Sequence, residues 1–241
     1  MLTTVRITKR LIDLTLSSLV LTLGAPVFLL IALAIKVDSM GPILYRSQRL
    51  KRCDMTNFRC PSQLTDEHTF TMYKFRTMVP DAEAVCGAIH AIKNDPRVTR
   101  IGRFLRSTRL DELPNFINVF RGEMSVAGPR ADRIEDREAI RIEFPMVWER
   151  TRYVKPGITG LAQVKLRSDG TLHTNNDKDI HEIADVLPEC DKDSHVLSYR
   201  YKLYYDFAYA LYLHNFWKFI TIELYILLYT PIIMFVRRNT I

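Results

Sequence analysis

Ser107-Thr-Arg-Leu-Asp-Glu-Leu-Pro-Asn-Phe-Ile-Asn-Val-Phe-Arg-Gly-Glu-Met-Ser-Val-Ala-Gly-Pro-Arg130 sets an adjacent acid pair, Asp111 and Glu112, between arginines on both sides. Upstream, Arg100, Arg103, Arg106 and Arg109 recur every three residues. Downstream, Leu113, Phe116, Ile117 and Phe120 mark one apolar helix face that ends near Gly122. Pro114 suits a first helical turn, where unpaired backbone N–H groups and the helix dipole favour anions. Asp111 is therefore expected to stay ionised at neutral pH. A carboxylate in that setting can attack phosphorus or hold a divalent cation, while guanidinium groups neutralise phosphate oxygens. The competing reading is a capped surface helix with ordinary salt bridges.

The 241 residues carry a net charge of +7, and 47% are hydrophobic, enough for a packed core. Asp177–Asp193 alone is locally −5, which leaves +12 on the rest. Such a basic surface attracts anionic headgroups or phosphorylated substrates. Nucleic acid is not an expected partner, because no zinc-finger spacing, aromatic RNA-binding strand motif or helix-turn-helix accompanies the charge. The four cysteines form no CxxC pair and imply no disulfide framework, as in a reducing cytosol.

After basic Arg6, Lys9 and Arg10, Leu14–Ile35 runs 22 residues without a charge. As a helix this is ~33 Å, long enough for a hydrocarbon core of about 30 Å. Basic residues nevertheless follow it as well, at Lys36, Arg46, Arg49, Lys51 and Arg52, so both flanks are expected on the cytosolic side. Pro26, beside Gly24, can break the helix and let it return, with Ser17, Ser18 and Thr22 near the break. A kinked span is the alternative.

Gly41–Arg46 reads as a turn and short strand, Lys51–Glu67 as a surface loop or hairpin insertion, and Phe70–Met78 as a strand carrying Lys74 and Arg76 on one face. Helices are expected over Asp81–Ile92, over the arginine ladder and over Asp132–Arg152. Met124–Arg130 reads as a strand entering a tight turn that aims Arg130. The two glycines of Lys155–Gly160 can expose amides to phosphate. Ser168–His195 reads as a polar loop. From Tyr199 onward, aromatic residues crowd a helical end, expected at the headgroup boundary, with a second span over Phe219–Val236 as the alternative.

Asp95–Arg106, Leu110–Pro114, Gly122–Arg130 and Lys155–Val164 occur together and in order. This ensemble resembles the bacterial sugar transferase family, the monotopic polyprenyl-phosphate phosphoglycosyl transferases that begin lipid-linked glycan assembly. The resemblance runs from Lys9 to Thr230 and is densest from Phe70 to Val164. The chain departs from the family pattern at Ala25, where serine is common, at Ala131, where proline is usual, and at Lys165-Leu-Arg167, where Asn-Gly-Arg is usual.

The resemblance implies a mainly α fold with a few short β-strands in a monotopic membrane protein. It comprises a Pro-broken re-entrant helix (residues 1–40), a cytosolic catalytic domain (41–198) and interfacial amphipathic helices (199–241). It implies transfer of a sugar-1-phosphate from a UDP-sugar to polyprenyl (undecaprenyl) phosphate at the bacterial inner membrane, starting an exopolysaccharide, capsule or O-antigen. Asp111 would be the covalent nucleophile, and Glu112 with Asp111 would hold Mg²⁺. Lys74, Arg76, Arg106, Arg130 and Arg167 would bind phosphates. Later glycosyltransferases of the pathway would be partners. Two other classes stay open: a non-catalytic membrane tether for lipids or partners, and a glycosyltransferase that releases UDP.

Overall fold

The computed structural model describes residues 2–51, 69–80, 82, 95–134, 154–166 and 194–237. Arg167 lies outside these residues. So do nearly all of the expected loop at 51–67, the expected helices at 81–92 and 132–152, and the polar loop at 168–195.

The chain opens with helix α1 (Thr3–Leu23) and helix α2 (Ala25–Asp38), bent by 60° at Gly24. Pro26 falls in the first turn of α2, where a missing N–H costs no intrahelical bond. The hydroxyls expected near the break bond one turn back: Ser17 donates to the Asp13 carbonyl and Thr22 to the Ser18 carbonyl. Ser17, inside the 22-residue run, is wholly buried and continues a polar face that begins before the run. Lys9, Asp13 and Ser17 recur every four residues along the buried face of α1, while Leu19, Leu23, Leu29, Leu30 and Leu33 are exposed around the bend.

Strands β1 (Leu44–Leu50) and β2 (Thr69–Phe75) pair antiparallel, Tyr45 opposite Lys74. The arginine ladder is helix α3 (Arg100–Thr108), capped by the Thr99 side chain and ended by Arg109 in the left-handed region at φ 59°. A 3₁₀ turn (Leu110–Glu112) carries the acid pair, and helix α4 (Asn115–Arg121) follows, with left-handed Gly122 at its end. Strands β3 (Ser125–Ala127) and β4 (Gly157–Thr159) pair in parallel, followed by helix α5 (Leu161–Lys165). Helices α6 (Ser194–Tyr212) and α7 (Phe216–Arg237) complete the order. The described fold is thus mostly helical with a few short strands, as expected. Phe216–Ile233 of α7 is long and apolar enough to cross a membrane.

One apolar cluster joins α1 to the strands and to the C-terminal helices, from Val5 through Ala127, Val164 and Tyr209 to Phe219 and Ile226. Polar contacts fix the same joint. Lys9 Nζ lies 2.5 Å from Glu223 of α7, which also accepts from the Tyr209 hydroxyl. Asp13 accepts from Ser125 Oγ at 2.9 Å and from the Val126 N–H at 2.8 Å. Arg10 donates to the carbonyls of Val119 and Phe120 at the end of α4. Tyr209 and Phe219 therefore belong to the core, whereas Trp217 and Tyr229 face outward.

Candidate active site

The acid pair lies near a helix start, as the spacing predicts, in the 3₁₀ turn that precedes α4, and Pro114 is the residue before α4 begins rather than within its first turn. The apolar face read from Leu113, Phe116, Ile117 and Phe120 is also shifted. Phe120 is half exposed, and the face that α4 buries carries Asn115, Asn118 and Val119. Asn118 is wholly buried and clamps the helix to β2: its Oδ1 accepts from the Tyr73 N–H, and its Nδ2 donates to the Thr71 carbonyl and Glu123. A polar residue with every partner satisfied can occupy a core position, which an apolar-periodicity argument passes over.

That clamp brings β2 alongside the acids. Lys74 Nζ lies 2.6 Å from Glu112 Oε1, and Arg130 Nη2 approaches the same oxygen at 3.6 Å. Burial pushes the Glu112 carboxyl up, but the charges of Lys74, Arg130 and Arg109 outweigh it and hold the group at about 2. Burial draws Lys74 below its ordinary value, with Glu112 opposing. Asp111 moves the other way: burial first and the Glu112 charge second raise its carboxyl, against Lys74, Arg109 and Arg106. The helix-dipole effect expected for Asp111 is outweighed by desolvation. Its Oδ1 is buried with no hydrogen-bond partner among the described residues.

Arg106 donates from Nε to Thr77 Oγ1 at 2.8 Å, and its charge acts on Asp111. Arg76 stands apart. Its Nη atoms donate to the carbonyls of Ser39 and Met40 and to Ser39 Oγ, tying the end of α2 to the strand rather than facing the acid pair. The expected phosphate cradle at Lys155–Gly160 is engaged in strand pairing: the Gly157 N–H donates to the Pro129 carbonyl at 2.7 Å. Its glycines answer to close packing, since a Cβ on Gly157 would lie 2.2 Å from the Gly128 nitrogen.

A small, partly open cleft lies beside Glu112, lined by Lys74, Glu112, Asn115 and Arg130, with Arg49 from β1. Arg49, Arg109 and Asn115 extend the site beyond the sequence-derived set. Arg109 was marked by its adjacency to the pair, whereas Arg49 reaches the site only through the β1–β2 pairing. No group of three or more His, Cys, Asp and Glu side chains forms a metal cage among the described residues. The oxygens present do suit a hard cation that keeps water and substrate phosphates: Asp111 Oδ1 is unpartnered, while Glu112 Oε1 is committed to Lys74.

Residues 4–237 match the family model described as Bacterial sugar transferase. The chain belongs to this family. Among its relatives is the UDP-glucose:undecaprenyl-phosphate glucose-1-phosphate transferase of Klebsiella pneumoniae, 44% identical over 156 residues, which cover 65% of this chain and 30% of that protein. The exopolysaccharide production protein PSS of Rhizobium leguminosarum bv. phaseoli is 39% identical over 65% of this chain and 73% of its own length. The UDP-N-acetylgalactosamine-undecaprenyl-phosphate N-acetylgalactosaminephosphotransferase of Aeromonas hydrophila is 35% identical over 65% of this chain and 33% of its own. The chain spans about a third of the length of the two phosphotransferases named here.

Proposed function

We propose that this chain transfers a sugar-1-phosphate from a UDP-sugar to polyprenyl phosphate, releasing UMP, and so initiates exopolysaccharide-type glycan assembly. The carrying observation is the division within the acid pair. Glu112 is neutralised by Lys74 and Arg130, while Asp111 keeps a buried, unpartnered oxygen and a raised pKa. A desolvated carboxylate of raised basicity is the better nucleophile of the two.

An Asp111 oxygen attacks the sugar-bearing phosphorus, the bond from that phosphorus to the bridging oxygen breaks, and UMP leaves with the oxygen. An oxygen of polyprenyl phosphate then attacks the same phosphorus, displacing the Asp111 carboxylate and giving polyprenyl-diphosphate-sugar. The two anionic substrates never need to meet in one transition state. Arg106, Arg109 and Arg130 offer guanidinium groups to the phosphate oxygens. Mg²⁺ held by Asp111 and Glu112 together with substrate phosphates would supply further charge neutralisation.

The same reading puts the chain on the cytosolic face of the bacterial inner membrane, with α1 and α2 re-entering rather than crossing. Supporting it, Arg10 near the start of α1 binds α4, while Ser39 and Met40 after α2 are bound by Arg76 at the end of β2. Both ends of the bent pair are tied to one folded body. At 14 residues, α2 is also only ~21 Å long, short of the ~30 Å core.

The test supplies purified protein with UDP-glucose, UDP-galactose or their N-acetylamino counterparts, with Mg²⁺ and undecaprenyl phosphate. UMP release and sugar phosphate in the lipid are expected, and intact mass with donor alone should show a phosphosugar adduct that maps to Asp111. Released UDP would assign a conventional glycosyltransferase, and no nucleotide release would assign a non-catalytic tether.

A further inference from the structure

Asn115 follows Asp111 by four residues, is 2% exposed, and lines the cleft shared by Lys74, Glu112 and Arg130. Its Oδ1 is buried without a hydrogen-bond partner among the described residues. Asn118, on the same helix and equally enclosed, has both ends of its amide satisfied. A buried amide oxygen left unpaired is costly, so an orphan beside a reaction centre calls for a ligand group to complete it.

The chemistry of that group is restricted. An amide oxygen only accepts, and of the cations lining the cleft Lys74 and Arg130 are directed at Glu112, while Arg49 donates to Ser47 Oγ and the Ala131 carbonyl. Ionised phosphate oxygens also only accept, so neither a diphosphate nor a lipid phosphate can satisfy it, and a polyprenyl chain adds only hydrocarbon. Of the substrates proposed above, only the nucleotide sugar brings O–H or N–H donors. Its sugar is bonded directly to the phosphorus that Asp111 attacks, while the ribose lies one phosphate further away. Asn115 opens α4 within three residues of the 3₁₀ turn that carries Asp111.

We infer that Asn115 is a specificity-determining residue whose Oδ1 accepts a hydrogen bond from a hydroxyl of the donor's sugar. This rests on the transfer reaction proposed above. Ile158, half-buried, lines the same cleft, with the core residues Met72 and Met124 behind it.

The experiment compares wild type, the near-isosteric Asn115→Leu and the smaller Asn115→Ser on the preferred UDP-sugar and on its mono-deoxy analogues, reading UMP. Wild type is expected to lose roughly tenfold or more in kcat/KM on one deoxy analogue. Asn115→Leu should lose a similar factor on the parent donor and no longer distinguish the two. The KM for undecaprenyl phosphate and the Mg²⁺ requirement should not change. Thermal midpoints identify a variant that fails to fold, in which case Asn115→Ser gives the same readout. The inference is overturned if the variants discriminate among the analogues as wild type does. A defect repaired by raised Mg²⁺, which assigns the amide to a metal-bound water, or one that falls on the lipid KM, overturns it too. Wild type that releases no UMP from any donor overturns the reaction itself, whereas an active wild type with indifferent variants overturns only the role of Asn115.

Discussion

Lys74 and Glu112 are 38 residues apart in sequence and 2.6 Å apart in space, and both are largely enclosed by the protein. Taking two charges out of water is expensive, so such a pair persists only where geometry and further charges compensate. Here Arg130 and Arg109 add to Lys74, and Glu112 is held ionised at about 2. The consequence for its neighbour is asymmetric: with the positive charge drawn to Glu112, Asp111 is left the more basic of the two.

Glu112 should leave a signature in stability against pH. Its folded value of about 2 lies below the ordinary 4.5, so its contribution is fully present above pH ~4.5 and is lost as pH falls toward ~2. The difference corresponds to about 3 kcal/mol. Thermal midpoints in detergent from pH 7 downward should fall through this window in wild type, and Glu112→Gln should flatten that limb. Glu112→Gln should also be less stable at pH 7, because Lys74 loses its counter-ion. An acid limb of unchanged steepness in Glu112→Gln would show that the pair does not hold this charge.

Asp111 carries the opposite sign. Its folded pKa is raised, so its contribution is present at low pH and is lost as pH rises through that folded value. Asp111→Asn removes the cost of burying a charge. It should cut UMP release by ~10³-fold or more while raising the midpoint at pH 7. A purely structural aspartate would lose stability together with activity, so the two readings separate on the sign of the midpoint change.

What the sequence made legible was local. The arginine ladder, the strand with Lys74 and the acid pair all sit in segments whose period or composition marks them, and the motif order pointed to the family. What it hid was long-range or polar. Lys9 and Glu223 meet across 214 positions, and nothing near either one marks the other. Asn115 and Asn118 escape a reading by apolar periodicity, which treats a polar residue as surface. The glycines of Lys155–Gly160 read as a phosphate cradle in the sequence because close backbone packing and anion binding select the same residue, and only the pairing of β3 with β4 separates them.

Asp13 links the membrane-proximal helix to the site. It accepts from Ser125 and Val126 at the start of the strand that runs on to Arg130. Asp13→Ala strands a buried N–H and a buried hydroxyl, at a cost of roughly 2–3 kcal/mol, and loosens the strand that positions Arg130. The midpoint should fall, and UMP release should fall beyond what the unfolded fraction explains. Asp13→Asn keeps an acceptor for the Val126 N–H and should recover much of both. Equal loss in the two variants would place the role in the charge of Asp13 rather than in its hydrogen bonds.

The bent helices give the topological expectation. Crossing would carry Ser39 and Met40 to the far side from Arg10, yet Arg10 holds the end of α4 and Arg76 holds Ser39 and Met40. Asn118 in turn joins α4 to β2, the strand that leads into Arg76. Separating the two ends would break all of these bonds and expose the orphaned carbonyls. Single cysteines at Thr4 and Ser39, in a chain whose native cysteines are replaced by serine, should therefore react with an impermeant maleimide from the same side of sealed inverted vesicles. A cysteine at Leu29, exposed and near the bend, should be protected by lipid until detergent is added. Labelling of Thr4 and Ser39 from opposite sides would make the pair one kinked span and require the Arg76 contacts to be absent in the membrane.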